Sequence, residues 1–163
     1  MEENTAAASG EKGRAARALF EQGANCAQAV LGAYAEELGL SRETAMMLAS
    51  PFGGGMGRMR EVCGAVSGML MVAGLKYGYA DVKDREAKKR TYRMVQELAG
   101  KFREENGSIV CRELLGAAGK DTSPIPSERT AQYYKKRPCP CLIEFAANLL
   151  ASYRPEESEE KEE

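Results

Sequence analysis

CAQAVLGAYAEEL, residues 26 to 38, sets Cys26, Ala29, Val30 and Ala33 at i, i+3, i+4 and i+7, the spacing of one buried stripe on an α-helix. Asn25 stands where an N-cap is wanted, and Gly39 where the helix must stop. Upstream, Arg14 to Glu21 carries an apolar edge of Ala15, Ala18 and Leu19 and ends near Gly23. Downstream, Ser41 is placed to cap RETAMMLAS, which Pro51 and the loop FGGGMG (52–57) interrupt. A further helix is expected from Arg60 through Tyr77, where Gly64 and Gly68, four residues apart, let a neighbouring backbone approach closely. Asp81 to Glu105 reads as a long amphipathic helix with Val82, Tyr92, Val95, Leu98 and Phe102 on its apolar side. Ser108 is positioned to cap IVCRELLG, and residues 116–128 form a loop by composition. The closing helix, CLIEFAANLLASY, turns Leu142, Phe145, Ala146, Leu149 and Leu150 to the core.

No stretch sustains the period-two alternation of a strand, and 24 alanines against 10 valines and isoleucines favour helix. The fold class is therefore all-α, a compact bundle of about five to seven helices in a single domain. Its expected bounds are residues 13–153, preceded by a disordered 1–12 and followed by a disordered acidic tail, 154–163. That tail holds six glutamates against one arginine and one lysine, so the rest of the chain is only +3. A charge so balanced does not predict nucleic-acid binding. Uncharged runs reach only fourteen residues, too short for a membrane span, which needs about 18. The first twenty residues lack the apolar region of a secretion signal, and a cytoplasmic location is expected.

Chemistry is narrowed by five cysteines and no histidine among 163 residues. Without imidazole there is no Cys/His or Ser/His nucleophilic pair and no mixed Cys/His metal site. The five thiols, Cys26, Cys63, Cys111, Cys139 and Cys141, contain no C-x-x-C and one C-x-C, so spacing alone marks neither a zinc ribbon nor a ferredoxin. Any shared site must be gathered from separate helices by the fold. Cys26 and Cys63 read as lying on apolar helix faces, where a buried small hydrophobe is the ordinary explanation. Cys111, Cys139 and Cys141 fall at loop-to-helix junctions, where the positive helix end favours thiolate. The methionines Met46, Met47, Met56, Met59, Met69 and Met71 read as core filler. No Walker loop, G-x-S-x-G or dinucleotide fingerprint appears, and FGGGMG lacks the phosphate-loop frame.

The stretches NCAQAVLGAYAEELGL, FGGGMG, EVCGAVSGMLMVAGLKYG, CRELLG and CPCLIEFAA, in that order over residues 20–150, resemble the C-GCAxxG-C-C family, named for a suspected redox activity. The resemblance implies a small helical domain holding an iron–sulfur centre of [2Fe-2S] type. It places the family cysteines on Cys26, Cys63, Cys111 and Cys139, with Cys141 as a possible substitute. Gly53, Gly54, Gly55 and Gly64 are the candidate cofactor-binding glycines, whose amides are suited to face sulfide. An electron-transfer protein with an unidentified redox partner is the leading expectation. Two alternatives stand beside it. One is thiol–disulfide exchange or oxidation sensing, with Lys135, Lys136 and Arg137 lowering a thiol pKa and Cys26–Cys63 or Cys111–Cys139 as couples. The other is a zinc-stapled interaction module, with Gly64 and Gly68 packing within the fold or across a homodimer.

Overall fold

The computed structural model describes residues 2–155, with side chains from residue 10 onward. Residues 156–163, most of the expected acidic tail, lie outside the described residues. Among the described residues there are eight α-helices: α1 (Glu2–Glu21), α2 (Cys26–Tyr34), α3 (Arg42–Ala49), α4 (Gly64–Tyr77), α5 (Arg85–Asn106), α6 (Cys111–Leu115), α7 (Ala131–Lys136) and α8 (Cys139–Ser152). There is no strand among the described residues. Gly53–Met56 is a tight turn rather than a helix, because Gly54, Gly55 and Met56 have φ of 66°, 71° and 65°.

Local signals account for most helix ends. Asn25 forms a full capping box with Gln28, the Asn25 side chain accepting from the Gln28 amide at 2.9 Å and the Gln28 side chain accepting from the Asn25 amide at 2.9 Å. Ser41 caps α3 by accepting from Thr44 at 3.1 Å. Helix α5 starts at Arg85, not Asp81, because Asp84 is the residue whose carboxylate accepts the Ala87 amide. Helix α7 is one more than the sequence suggested, started by Thr130 accepting from Tyr133 at 3.2 Å.

Helix α2 is the centre of the bundle, packed against α1, α3, α4 and α8. Val30, Leu31 and Tyr34 of α2 meet Phe20 of α1, Val66, Met69 and Val72 of α4 and Ile143 and Leu150 of α8 in one buried cluster. Each such side chain withdrawn from water contributes about 1.5–3 kcal/mol before entropy is counted. The Tyr34 hydroxyl donates to Ala147 O at 2.7 Å, so its polar end is satisfied inside the core. A Cβ at Gly68 would stand 2.8 Å from Ala27 O, so the expected close approach is made by α2 within the fold. That face is thereby closed to a homodimer contact.

Residues 10–12 are helical, and Lys12 donates to Ala33 O at 3.3 Å. Three expectations are corrected. The helix expected from Arg60 starts at Gly64, because residues 61–63 are paired with 109–111, with Cys63 N bonded to Ile109 O at 2.8 Å and Cys111 N to Glu61 O at 2.6 Å. On α5, Met94, Leu98 and Phe102 are buried whereas Val82 and Tyr92 are exposed. Val82 precedes the helix, and Tyr92, six residues before Leu98, lies about 120° around the axis from it. Met47, Met56 and Met59 are exposed, so only part of the methionine set fills the core.

Candidate functional site

Each of four cysteines stands where a helix begins. Cys26, Cys111 and Cys139 are the first residues of α2, α6 and α8, and Cys63 is the residue before the first turn of α4. The faces expected for Cys26 and Cys63 are thus helix starts as well. All four line one cavity of about 380 Å³, together with Gly53, Gly54, Gly55 and Gly64. Their convergence has a local cause. The paired segments 60–63 and 109–112 hold Cys63 and Cys111 side by side, and the α2–α4 contact brings Cys26 beside Gly64. A Cβ at Gly64 would stand 2.9 Å from Cys26 Cβ, and one at Gly55 2.6 Å from Cys111 Cβ. These two glycines are what let the thiols close on the same space.

Cys141 is exposed and does not line the cavity. Two residues along a helix turn a side chain by about 200°, so Cys139 and Cys141 face opposite ways. Cys139 shares its face with Leu142, Ala146 and Leu150, at i+3, i+7 and i+11, and that stripe decides between the pair. All five cysteines are free thiols. Among the described residues no three His, Cys, Asp or Glu side chains form a group that could hold a single metal ion.

The thiols are unequal in acidity. Cys26 is placed to donate its S–H towards Cys139, which favours the Cys139 thiolate and holds the proton on Cys26. Cys139 is lowered first by that donor and then by the charges of Arg137 and Arg129, which outweigh its burial. Burial pushes Cys63 up to about 12, and the nearby amides of Ala65 and Val66 pull it back only in part. Burial also raises Cys111, against the opposing pull of Arg60. The expectation that a helix start makes Cys111 a thiolate is therefore corrected: desolvation exceeds the field of a five-residue helix. Lys135 and Lys136 are exposed, so of the expected basic triplet only Arg137 acts on a thiol.

Four arginines, Arg58, Arg60, Arg129 and Arg137, line the cavity, and no carboxylate does among the described residues. Three of them were missed by sequence reasoning. Arg58 donates to Ser123 O at 2.7 Å and pairs with Asp121 at 3.0 Å. Arg129 donates to Phe20 O and Ala24 O, each at 3.0 Å, and stacks over the Phe20 ring. Arg60 places Nη1 3.9 Å from Cys111 Sγ. The run GRMRE after the glycines was a usable signal, since arginines beside a tight glycine turn have no apolar stripe to join.

A family model described as "Putative redox-active protein (C_GCAxxG_C_C)" matches residues 24–153. No curated protein matches the chain, and no solved structure does.

Proposed function

The chain belongs to the C_GCAxxG_C_C family, and from that premise we propose that it is a redox protein whose Cys26, Cys63, Cys111 and Cys139 hold an iron–sulfur cluster, of [2Fe-2S] type. The observation that carries this reading is the convergence of four cysteines from four separate helix starts on one cavity. Their chemistry fits the group. The donors are all sulfur, the surrounding charges are all positive, and the starts of α2, α4 and α8 add the positive ends of three helix dipoles, so thiolate charge is compensated. Gly53, Gly54 and Gly55 bring backbone close to the same space. When bound, such a cluster supplies one-electron transfer, passed to or from a redox partner protein.

This chain's residues must surrender protons to hold it. Burial keeps Cys63 and Cys111 as thiols, so loading releases protons and strengthens as pH rises. A lone zinc ion is less well supported, because tetrahedral bonds of about 2.3 Å would draw the sulfurs to within roughly 3.8 Å of one another, whereas no three side chains form such a group among the described residues.

The test is anaerobic reconstitution with iron and sulfide, read by metal and acid-labile sulfide content and by visible absorption. Cluster in the wild type and in Cys141→Ala, with loss in Cys63→Ala, is the expected result. Iron-free protein after reconstitution, with all thiols titrating as reduced, refutes the proposal. A second reading rests on the proximity of Cys26 and Cys139, which sets a thiolate beside a thiol as dithiol exchange requires. It replaces the Cys26–Cys63 and Cys111–Cys139 couples expected from sequence. A Cys26–Cys139 disulfide in metal-free protein treated with a thiol oxidant would support it.

A further inference from the structure

Arg60 is buried to 2% exposure, and its Nη2 has no hydrogen-bond partner among the described residues. Its other guanidinium nitrogens are engaged, Nε with Asp121 O at 3.0 Å and Nη1 beside Cys111 Sγ at 3.9 Å. A charged donor withdrawn from water and left without an acceptor is strongly unfavourable, so such a group marks a place where something else binds. The backbone that presents it is held in place as well. Arg60 has φ of 62°, a conformation that a non-glycine residue keeps only when its surroundings impose it. Its amide donates to Gly54 O at 3.2 Å and its carbonyl accepts from Arg112 at 3.1 Å.

The cavity that Arg60 lines is suited to more than a cofactor core. Its volume of about 380 Å³ lies within the range of roughly 300–1,000 Å³ usual for small-molecule sites. Phe20, Leu114, Leu115, Pro124 and Pro126 give it an apolar wall, while the charged groups on its lining are all arginine. Arg58 and Arg129 are already held by protein acceptors, through three and two hydrogen bonds, and Arg137 stacks on Tyr133 at 4.5 Å with one long contact of 3.5 Å to Ser127. Guanidinium N–H groups bind the oxygens of carboxylates and phosphates most strongly.

We propose that the cavity is a binding site for a small organic anion, its carboxylate or phosphate head held by the Arg60 guanidinium and its carbon body against the Phe20–Leu114–Pro124 wall, next to the thiols. This goes beyond the redox reading and does not depend on iron. It gives the site a substrate or effector of stated chemistry in addition to an electron acceptor.

The experiment uses full-length, metal-free, reduced protein with sodium benzoate and sodium phosphate as probes and sodium chloride at matched ionic strength as control. Iodoacetamide labelling of Cys111 and Cys141 is followed by mass spectrometry. With a probe at ten times its Kd, Cys111 labelling slows about tenfold as the empty fraction falls. Cys141, outside the cavity, serves as the internal reference and keeps its rate. Arg60→Gln weakens binding by about tenfold or more, as loss of a charged hydrogen bond requires, and Arg60→Lys, which keeps the charge, retains part of it. No protection of Cys111 by either anion overturns the inference, as does equal protection in Arg60→Gln or equal slowing at Cys141. Should Arg60→Gln fail to fold, the wild-type protection and Arg60→Lys decide. Protein that binds benzoate but takes up no iron sinks the cluster and leaves this site, and the converse result separates them the other way.

Discussion

Replacing Gly68 by alanine tests the contact on which the site depends. The new Cβ would stand 2.8 Å from Ala27 O, 3.0 Å from Val30 Cβ and 3.2 Å from Ala27 Cα. Two of those three atoms are α2 backbone, so no side chain can swing away and α2 itself must move from α4. Overpacking of this kind costs about 1–3 kcal/mol, while alanine in place of glycine inside a helix returns up to about 1 kcal/mol. A net loss of about 1–2 kcal/mol follows. At roughly 2–4 °C per kcal/mol for a chain of this length, melting should fall by about 2–8 °C. Gly74 lies on the same helix with nothing within 4 Å of its virtual Cβ. Gly74→Ala should therefore keep only the helix gain and raise melting by about 2–4 °C. Thermal unfolding of both variants followed by circular dichroism at one scan rate makes the comparison. If Gly68→Ala melts at or above wild type, the close α2–α4 approach is wrong, and with it the cause given for Cys26 meeting Cys63.

Three further outcomes are expected. Asn25→Ala removes one half of the capping box at the helix that opens with Cys26 and should cost about 1 kcal/mol, measured by urea unfolding. In metal-free protein Cys63 keeps its proton up to about pH 12 when folded, whereas the unfolded chain gives it up from about pH 8.5. Its contribution is therefore present below the unfolded value and lost as pH rises, by up to about 5 kcal/mol, and a Cys63→Ala variant should show a flatter stability curve over that window. Cys26→Ala removes the donor that lowers Cys139, so alkylation of Cys139 at neutral pH should slow, while Cys26→Ser, which keeps a donor, should preserve the rate. Equal rates in all three proteins would remove the proposed hydrogen bond.

Helix α2 was legible because its signals are local: a capping side chain three residues from its partner, and a stripe repeating every turn. The same holds for Ser41 and for the glycine face of α4. What failed depended on distant partners. Residues 60–63 look like helix by their neighbours, but Val62 bridges to Val110, and that pairing, 48 residues away in sequence, overrides local preference. Tyr92 was assigned to the wrong side because the phase of α5 is set by the groove that Leu98 and Phe102 enter. Helix α7 went unread because RTAQYYKKR is short and polar, and its rings find their partners in Phe20, Arg129, Arg137 and each other. For the site, the cysteine set and its glycines were named from the sequence, whereas Arg60 was passed over as one charge among 23 basic residues.

By itself the sequence determined an all-helical chain with five thiols and no imidazole, because both follow from residue types and from periodicities within a few turns. Only the tertiary structure decided that four thiols from residues 26 to 139 share one cavity, that Cys139 rather than Cys141 faces it, and that Cys139 is the acidic one. Those outcomes depend on which surfaces meet, and on burial and charge supplied by segments far apart in the chain. The unpaired Nη2 of Arg60 belongs to the same class, since a missing hydrogen-bond partner exists only once every neighbour is in place.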